Sequence, residues 1–395
     1  MALIHENIFT ENSDYIYATL VTGNIKYNAE DRSANQCLVI MDKDGTIRKY
    51  ENNPVIKGIP EGYTGHVRDP KVFKKNERYY MLLGAQRKDL TGTIIVFESV
   101  NALDWTFKGE LDVQLEMQEF GYMWECPDYF ELNGKDILVF SPQGIKPQGN
   151  DYKNVYNVVY TVGELDIDHL TYKVAHLQKL EKGFDFYAPQ SFLDENQKRL
   201  LIAWAGSGEI SYPTDEESWA HCLTIPRELV LKGNKLYQKP AEQLKTLRTT
   251  SISGKGVLQD QTLDIKNQTD VYELEINFKE IEASQFGIEL CHSEKEGLIL
   301  QFDRENEVVN LNREKFEYAF GGEFGFVRSE ALQIDKEMKE LFVDRSIVEI
   351  FINDGEVVFT TRVFPLKESR GIKLFANQKL AYHYTKYQLS NGIEV

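Results

Sequence analysis

Clustered positive charge is the first thing this sequence lacks. Its 45 Lys and Arg stand against 62 Asp and Glu, a formal net charge of −17, and no basic stripe interrupts the acidic excess. Neutralising a phosphate backbone or an anionic bilayer needs clustered Lys and Arg, so no nucleic acid and no membrane is expected as a partner. Cysteine is nearly as scarce. Cys37, Cys126, Cys222 and Cys291 are widely separated and form no Cys-x-x-Cys pair, which indicates neither a zinc site nor a disulfide framework. No stretch approaches the ~20 apolar residues of a membrane-spanning helix. The opening Met1-Ala2-Leu3-Ile4-His5-Glu6 lacks the basic-then-apolar order of an export signal. A reduced, cytoplasmic setting without metal or cofactor is the expectation.

Long amphipathic helical patterns are also missing, whereas strand-favouring aromatics abound, with 21 Tyr and 22 Phe. An all-β protein follows. At 395 residues it exceeds one typical core, so two domains are expected.

The organising feature is a recurring Pro-Phe motif, x-x-Pro-x-x-Phe. It occurs as Arg68-Asp69-Pro70-Lys71-Val72-Phe73, Glu125-Cys126-Pro127-Asp128-Tyr129-Phe130 and Tyr187-Ala188-Pro189-Gln190-Ser191-Phe192. The prolines lie 57 and 62 residues apart, and an apolar strand follows each copy, at residues 79–86, 136–144 and 199–207. Short strands repeating at this length suggest propeller blades. A fourth such strand, residues 15–24, has no room for its own copy, so residues 1–231 are read as four blade-like units with the first one clipped.

Beyond about Leu231 the repeat stops. Alternation takes over: Tyr272, Leu274, Ile276 and Phe278 share one face of residues 271–278. Strands are also expected at 297–302, 346–352 and 357–363, with Asn353-Asp354-Gly355-Glu356 as a hairpin turn. These predict a β-sandwich over 253–395, after a linker at 232–252.

Equivalent positions of successive blades converge on one cavity, so the repeat gathers acids that are distant in sequence. A glycosidase needs a proton donor and a second carboxylate. Glu125, between Trp124 and Cys126, is read as lying in apolar surroundings that suit a general acid. Asp69, read as its equivalent on the neighbouring blade, follows Arg68, whose fixed charge suits an ionised binder. Tyr187 has a phenol able to bond sugar or carboxylate, and Trp124 is a candidate stacking platform. Each residue alone has a plainer reading, since Asp-Pro is a common turn and large aromatics are usually core. Recurrence is what favours function.

Four segments carry a family resemblance: His66 to Val72, Trp124 to Asp128, Gly183 to Gln190, and Asp344-Arg345-Ser346-Ile347-Val348-Glu349-Ile350-Phe351. In order and spread over the whole chain, they resemble the signatures of glycoside hydrolase family 32. The resemblance implies a five-bladed β-propeller followed by a β-sandwich, and cleavage of the β-fructofuranosyl bond of sucrose or sucrose 6-phosphate with retention. It makes Glu125 the acid/base and Asp69 the transition-state stabiliser, with Arg68 beside it. The family's nucleophile is the first Asp of a Trp-Met-Asn-Asp-Pro-Asn-Gly segment, and no such segment occurs in the sequence. The expectation is that the first blade is absent and the chain inactive as written. Asp14 lacks the flanking residues of that segment and is not substituted for its aspartate. A fructoside-binding protein without turnover and a family 43 or 68 type propeller enzyme stand as alternatives.

Overall fold

A computed structural model describes residues 15–28, 32–115, 120–333 and 339–392. Among these there is no α-helix, only three short 3-10 turns, and no helix is long and apolar enough to cross a membrane.

Four antiparallel-built sheets precede residue 241. The first has three strands, Tyr15–Lys26, Arg32–Asp42 and Ile47–Lys49. The second is the meander Tyr63–Lys75, Arg78–Arg87, Gly92–Ser99 and Thr106–Glu110. The third runs from Met123–Leu132 through Lys135–Gln143 and Val159–Asp166 to Thr171–Lys179, and gains Asp112–Gln114 in parallel at its outer edge. In the fourth, Tyr187–Leu193 and Arg199–Ala205 are continued by Arg227–Lys232 and Lys235–Pro240.

Alternation stacks these sheets face to face. Met81, Leu83 and Ala85 join Leu20, Leu38 and Ile40 of the first sheet, whereas the intervening Tyr80 and Leu82 join Leu138 and Phe140 of the third. Ile137 and Val139 then face Leu201 and Ala203 of the fourth. A strand buried on both faces loses the polar-out signature and reads as a continuous apolar run, as in Met81-Leu82-Leu83-Gly84-Ala85. At Gly84 the second and third sheets press close: a Cβ there would stand 1.9 Å from the Trp124 carbonyl oxygen. Sheets stacked in sequence order with their first strands innermost form a β-propeller.

The Pro-Phe motifs lie on those first strands, and all three contain the same bulge. Arg68 pairs with Gly84 and Lys71 with Leu82, Glu125 with Ser141 and Asp128 with Val139, and Tyr187 with Trp204 and Gln190 with Ile202. Each motif therefore has one residue more than its partner strand. Proline forces this, because it has no N–H for the ladder. The residue before it turns left-handed: φ is 63° at Asp69, 49° at Cys126 and 50° at Ala188. A non-glycine residue there is strained by about 1–3 kcal/mol, and the strain is held by the packed sheets around it.

The C-terminal unit is a sandwich of two six-stranded sheets around one apolar cluster. Tyr272, Leu274, Ile276 and Phe278 are all 2% exposed or less, on the face that alternation assigns them. The hairpin Ile347–Ile352 to Val357–Arg362 forms as expected. Its Gly355, at φ 83°, lies so close to the fourth sheet that a Cβ would meet the Gln238 carbonyl oxygen at 1.6 Å.

The expected linker at 232–252 is corrected by the structure. Lys235–Pro240 is the outer strand of the fourth sheet, paired with Arg227–Lys232, and Arg248–Leu258 already belongs to the sandwich. Gly233 and Asn234 make a hairpin turn, so the two units meet across a single 3-10 turn, Glu242–Leu247.

Candidate active site

The bulges decide which side chains meet. Arg68, Glu125 and Tyr187 each stand two residues before the proline of their motif, and they bond in blade order. Arg68 donates from Nε to Glu125 Oε1 at 2.7 Å, and its Nη2 closes on the same oxygen. Tyr187 donates its hydroxyl to Oε2 in a very short bond, and Gln143 Nε2 donates to Oε2 at 2.9 Å. The His66 ring lies 3.0 Å from Arg68 Nη1. Burial and the Arg68 charge push the His66 pKa down to about 4, so its ring is neutral near pH 7 and accepts from the guanidinium.

Asp69 stands one position later, equivalent to Cys126 rather than to Glu125. Its Oδ2 accepts from the Cys126 backbone N–H at 3.0 Å, with the Cys126 Sγ at 3.5 Å, which sets the Asp69 carboxylate beside the strand that carries Glu125. The Asp69 N–H, freed from the ladder by the bulge, donates to Thr22 Oγ1 of the first sheet at 3.1 Å. Burial, then the Glu125 charge, hold the Asp69 carboxyl above the usual carboxylate range. Burial also pushes the Cys126 thiol well up, keeping it protonated next to Asp69.

Two sequence expectations are thereby exchanged. Glu125 does not sit in apolar surroundings: three polar side chains hold it, and its side chain is 13% exposed. The Arg68 fork expected on Asp69 grips Glu125, and Asp69 is the carboxyl in the desolvated place. The cause is position in the bulge: Arg68 and Glu125 stand two residues before the proline, whereas Asp69 stands one before it, at the left-handed residue.

Trp124 is corrected as well. The indole stacks on Phe140 with centroids 4.5 Å apart, donates Nε1 to the Phe120 carbonyl, and belongs to the core between the second and third sheets. Strand alternation turns it away from Glu125. Tyr187 is both things at once, a buried ring against Tyr156 at 4.9 Å and a donor to Glu125. Asp14 lies outside the described residues.

Sequence reasoning missed Gln143 and Gln86. Each stands sixteen residues after the proline of its blade's motif, at the inner end of the second strand. Gln86 accepts from Thr64 and donates to the Tyr122 carbonyl. That repeated Gln was a signal available in the register. Arg87, next to Gln86, is tied to Glu110 by Nη2 at 2.6 Å, while Lys88 beside it has no described ion pair.

The other two signature segments build the junction between the units. Asp185 Oδ2 accepts from Arg313 Nη1 at 2.5 Å and from the Arg362 N–H at 2.8 Å, and its Oδ1 accepts from Tyr212. Glu349 accepts from Arg227 Nη2 at 2.5 Å and from the Ile225 N–H at 2.7 Å. Both acids are fully or nearly fully buried. Asp185 lies two positions before Tyr187, so the junction anchors the strand that delivers the phenol to Glu125.

Residues 7–240 match the model of the glycosyl hydrolases family 32 N-terminal domain, and residues 242–391 the family 32 C-terminal model. The boundary coincides with the 3-10 turn. Because the match begins at residue 7, the expectation that a whole first blade is missing is not carried forward. The sucrose-6-phosphate hydrolase of Staphylococcus xylosus is 40% identical over 381 residues, 96% of this chain and 76% of the relative. That of Bacillus subtilis is 36% identical over 91% of this chain and 73% of the relative. In three dimensions the chain is similar to sucrose-6-phosphate hydrolase from Lactobacillus gasseri, with TM-score 0.86 and 29% identity over 96% of this chain and 77% of the other. It is also similar to a Bombyx mori β-fructofuranosidase, with TM-score 0.80 and 30% identity over the same shares. The chain belongs to glycosyl hydrolase family 32.

Proposed function

We propose that the Arg68, Asp69, Glu125 and Tyr187 cluster binds the fructosyl unit of sucrose or sucrose 6-phosphate and labilises its glycosidic bond. The observation that carries this reading is the bond from the Cys126 N–H to Asp69 Oδ2, which brings the carboxylates of adjacent blades to one place. Glu125 protonates the departing glucosyl oxygen. Its three donors orient the carboxyl toward that oxygen, and the Tyr187 hydroxyl and Gln143 amide rebind the carboxylate once the proton has left. Asp69 holds fructosyl hydroxyls. Partly desolvated, it gains most from a positive charge developing at the anomeric carbon, so it favours the transition state over the ground state. Arg68 offsets the mutual repulsion of the two acids and presents its remaining N–H groups to sugar oxygens.

Retention needs a carboxylate nucleophile on the opposite face of the anomeric carbon. The sequence carries no Asn-Asp-Pro-Asn-Gly run, and the reading assigns that role to no residue of the 395. The chain then binds the fructoside and supplies the proton, while turnover waits for an external nucleophile. Calorimetric titration with sucrose and with its 6-phosphate, on the native chain and on Asp69→Asn, tests the binding half. Saturable binding weakened at least ~10-fold by the substitution is expected; binding indifferent to Asp69 would remove the cluster from consideration.

A further inference from the structure

A wide concavity lies away from the Pro-Phe motifs. It is a groove of about 780 Å³ where the segment after the fourth sheet's second strand meets the sandwich, a size within the ~300–1,000 Å³ of small-ligand sites. Its lining includes two hydroxyls with no described role. Thr214 is 8% exposed and Tyr272 is 2% exposed, and Thr214 Oγ1 and Tyr272 Oη are buried without a hydrogen-bond partner. A buried hydroxyl left unpaired costs stability, so two of them lining one groove require an explanation.

Its walls supply the rest of a receptor. Trp219 and Tyr318 are about half exposed there. The indole is held in orientation by its Nε1 bond to Glu217 at 3.0 Å and by the Arg362 guanidinium 5.7 Å from its ring. At the rim, Asp270 and Arg370 face each other at 3.6 Å, too long for a tight pair, and the Arg345 side chain has no described ion pair. Flat apolar faces, isolated hydroxyls and a loosely paired Arg and Asp are what a polyhydroxylated ring asks for: C–H faces against aromatics, and hydroxyls that both donate and accept. Among the groove's charged residues acids slightly outnumber bases, which disfavours an anionic ligand.

We propose that this groove is a second, non-catalytic site for a neutral saccharide, separate from the Glu125 and Asp69 cluster and independent of the reading given for it. The floor hydroxyls of Tyr272 and Thr214 bond the sugar, and Trp219 stacks on it. Occupancy would bridge the two units and hold carbohydrate close to the enzyme.

The test is titration of a Glu125→Gln, Asp69→Asn chain, in which the propeller cluster is disabled, with sucrose, 1-kestose and sucrose 6-phosphate. Binding is followed by tryptophan fluorescence and calorimetry. Saturable binding of a neutral saccharide should survive in this background and weaken at least tenfold on adding Trp219→Ala or Tyr272→Phe. Tyr272→Phe should meanwhile raise the melting temperature of the free protein, because it deletes an unpaired buried hydroxyl. No neutral-saccharide binding in the disabled background, binding of the phosphorylated sugar alone, or binding unchanged by both groove substitutions would each overturn the proposal. A fall in melting temperature with unchanged affinity for Tyr272→Phe would do the same, by showing that the hydroxyl serves the fold alone.

Discussion

Arg68 and Glu125, 57 residues apart, meet through two guanidinium nitrogens on one carboxylate oxygen. Because they stand at the same position of successive bulges, the propeller's repeat itself creates the contact. A planar fork cannot be replaced by a point charge at such a site. Arg68→Lys should therefore weaken fructoside binding about 10-fold and Arg68→Ala about 100-fold, on the scale expected for charged anchors, measured by calorimetry. Equal affinity for the Lys variant would show that the fork geometry is not used.

Asp69 sets a carboxyl in a place that disfavours its charge. Its folded pKa is raised, first by burial and then by Glu125. A raised carboxyl contributes stability that is full below the unfolded pKa and is lost as pH climbs through the folded one. Ionising this carboxyl therefore burdens the fold. Asp69→Asn keeps an acceptor for the Cys126 N–H and removes that burden, so its melting temperature should rise by about 1 °C while affinity falls, the shift that ~1 kcal/mol produces against an unfolding entropy of about 2 cal/mol/K per residue in a chain of this length. Parallel melts at pH 7 decide it, and a lower melting temperature would mean that the charge is compensated in place.

Glu181 gives the junction a pH dependence. It is buried, accepts from the Gly183 N–H, and faces Arg227 and Thr360; burial raises its carboxyl to about 7 despite those partners. Over pH 4.5–7 the native state holds the proton that the unfolded state releases, so stability contributed below that window declines across it. Glu181→Gln should flatten the decline. Wild type and variant should melt together near pH 5 and separate above pH 7, by as much as about 3 kcal/mol at ~1.4 kcal/mol per unit. Parallel curves from pH 5 to 8 would assign the slope to other groups.

The Arg227 and Glu349 pair is buried at both ends. Removing one partner strands the other charge, so Glu349→Ala should destabilise by about 3–5 kcal/mol, whereas the double apolar replacement Arg227→Met with Glu349→Leu should recover most of that loss. Urea unfolding of the three forms provides the cycle. A double variant as unstable as the single one would show that the pair is needed for more than mutual neutralisation.

These residues also show how far the sequence could be read. The Pro-Phe repeat was legible because proline and phenylalanine mark a bulge that recurs along the propeller, and alternation from Tyr272 to Phe278 pointed to the sandwich directly. The alignment within the repeat was not. Asp69 and Glu125 look equivalent when acids are counted, yet Asp69 sits one residue later, at the left-handed position of its bulge, where its carboxylate takes the Cys126 N–H rather than the Arg68 fork. Trp124 adjoins Glu125 in sequence and is on the opposite face because neighbouring strand residues alternate. The junction strand Lys235–Pro240 was hidden by lysines and a turn, because an outer propeller strand has one wet face and resembles a linker. Gln143 was overlooked because a single Gln carries no signal until its counterpart Gln86 is set beside it in register.

The central claim is that Glu125 and Asp69 form a working half of a fructosidase to which no residue of the chain is assigned as nucleophile. Chemical rescue tests it most directly. Formate or azide can attack the anomeric carbon of the bound fructosyl unit while Glu125 protonates the departing glucose, which supplies an attacking group without altering the protein. Purified chain should release negligible glucose from sucrose in plain buffer, release it in proportion to added anion, and lose that response in Glu125→Gln. Glucose released without any anion and abolished by Glu125→Gln would contradict the account, by showing that one of the chain's own residues is the nucleophile.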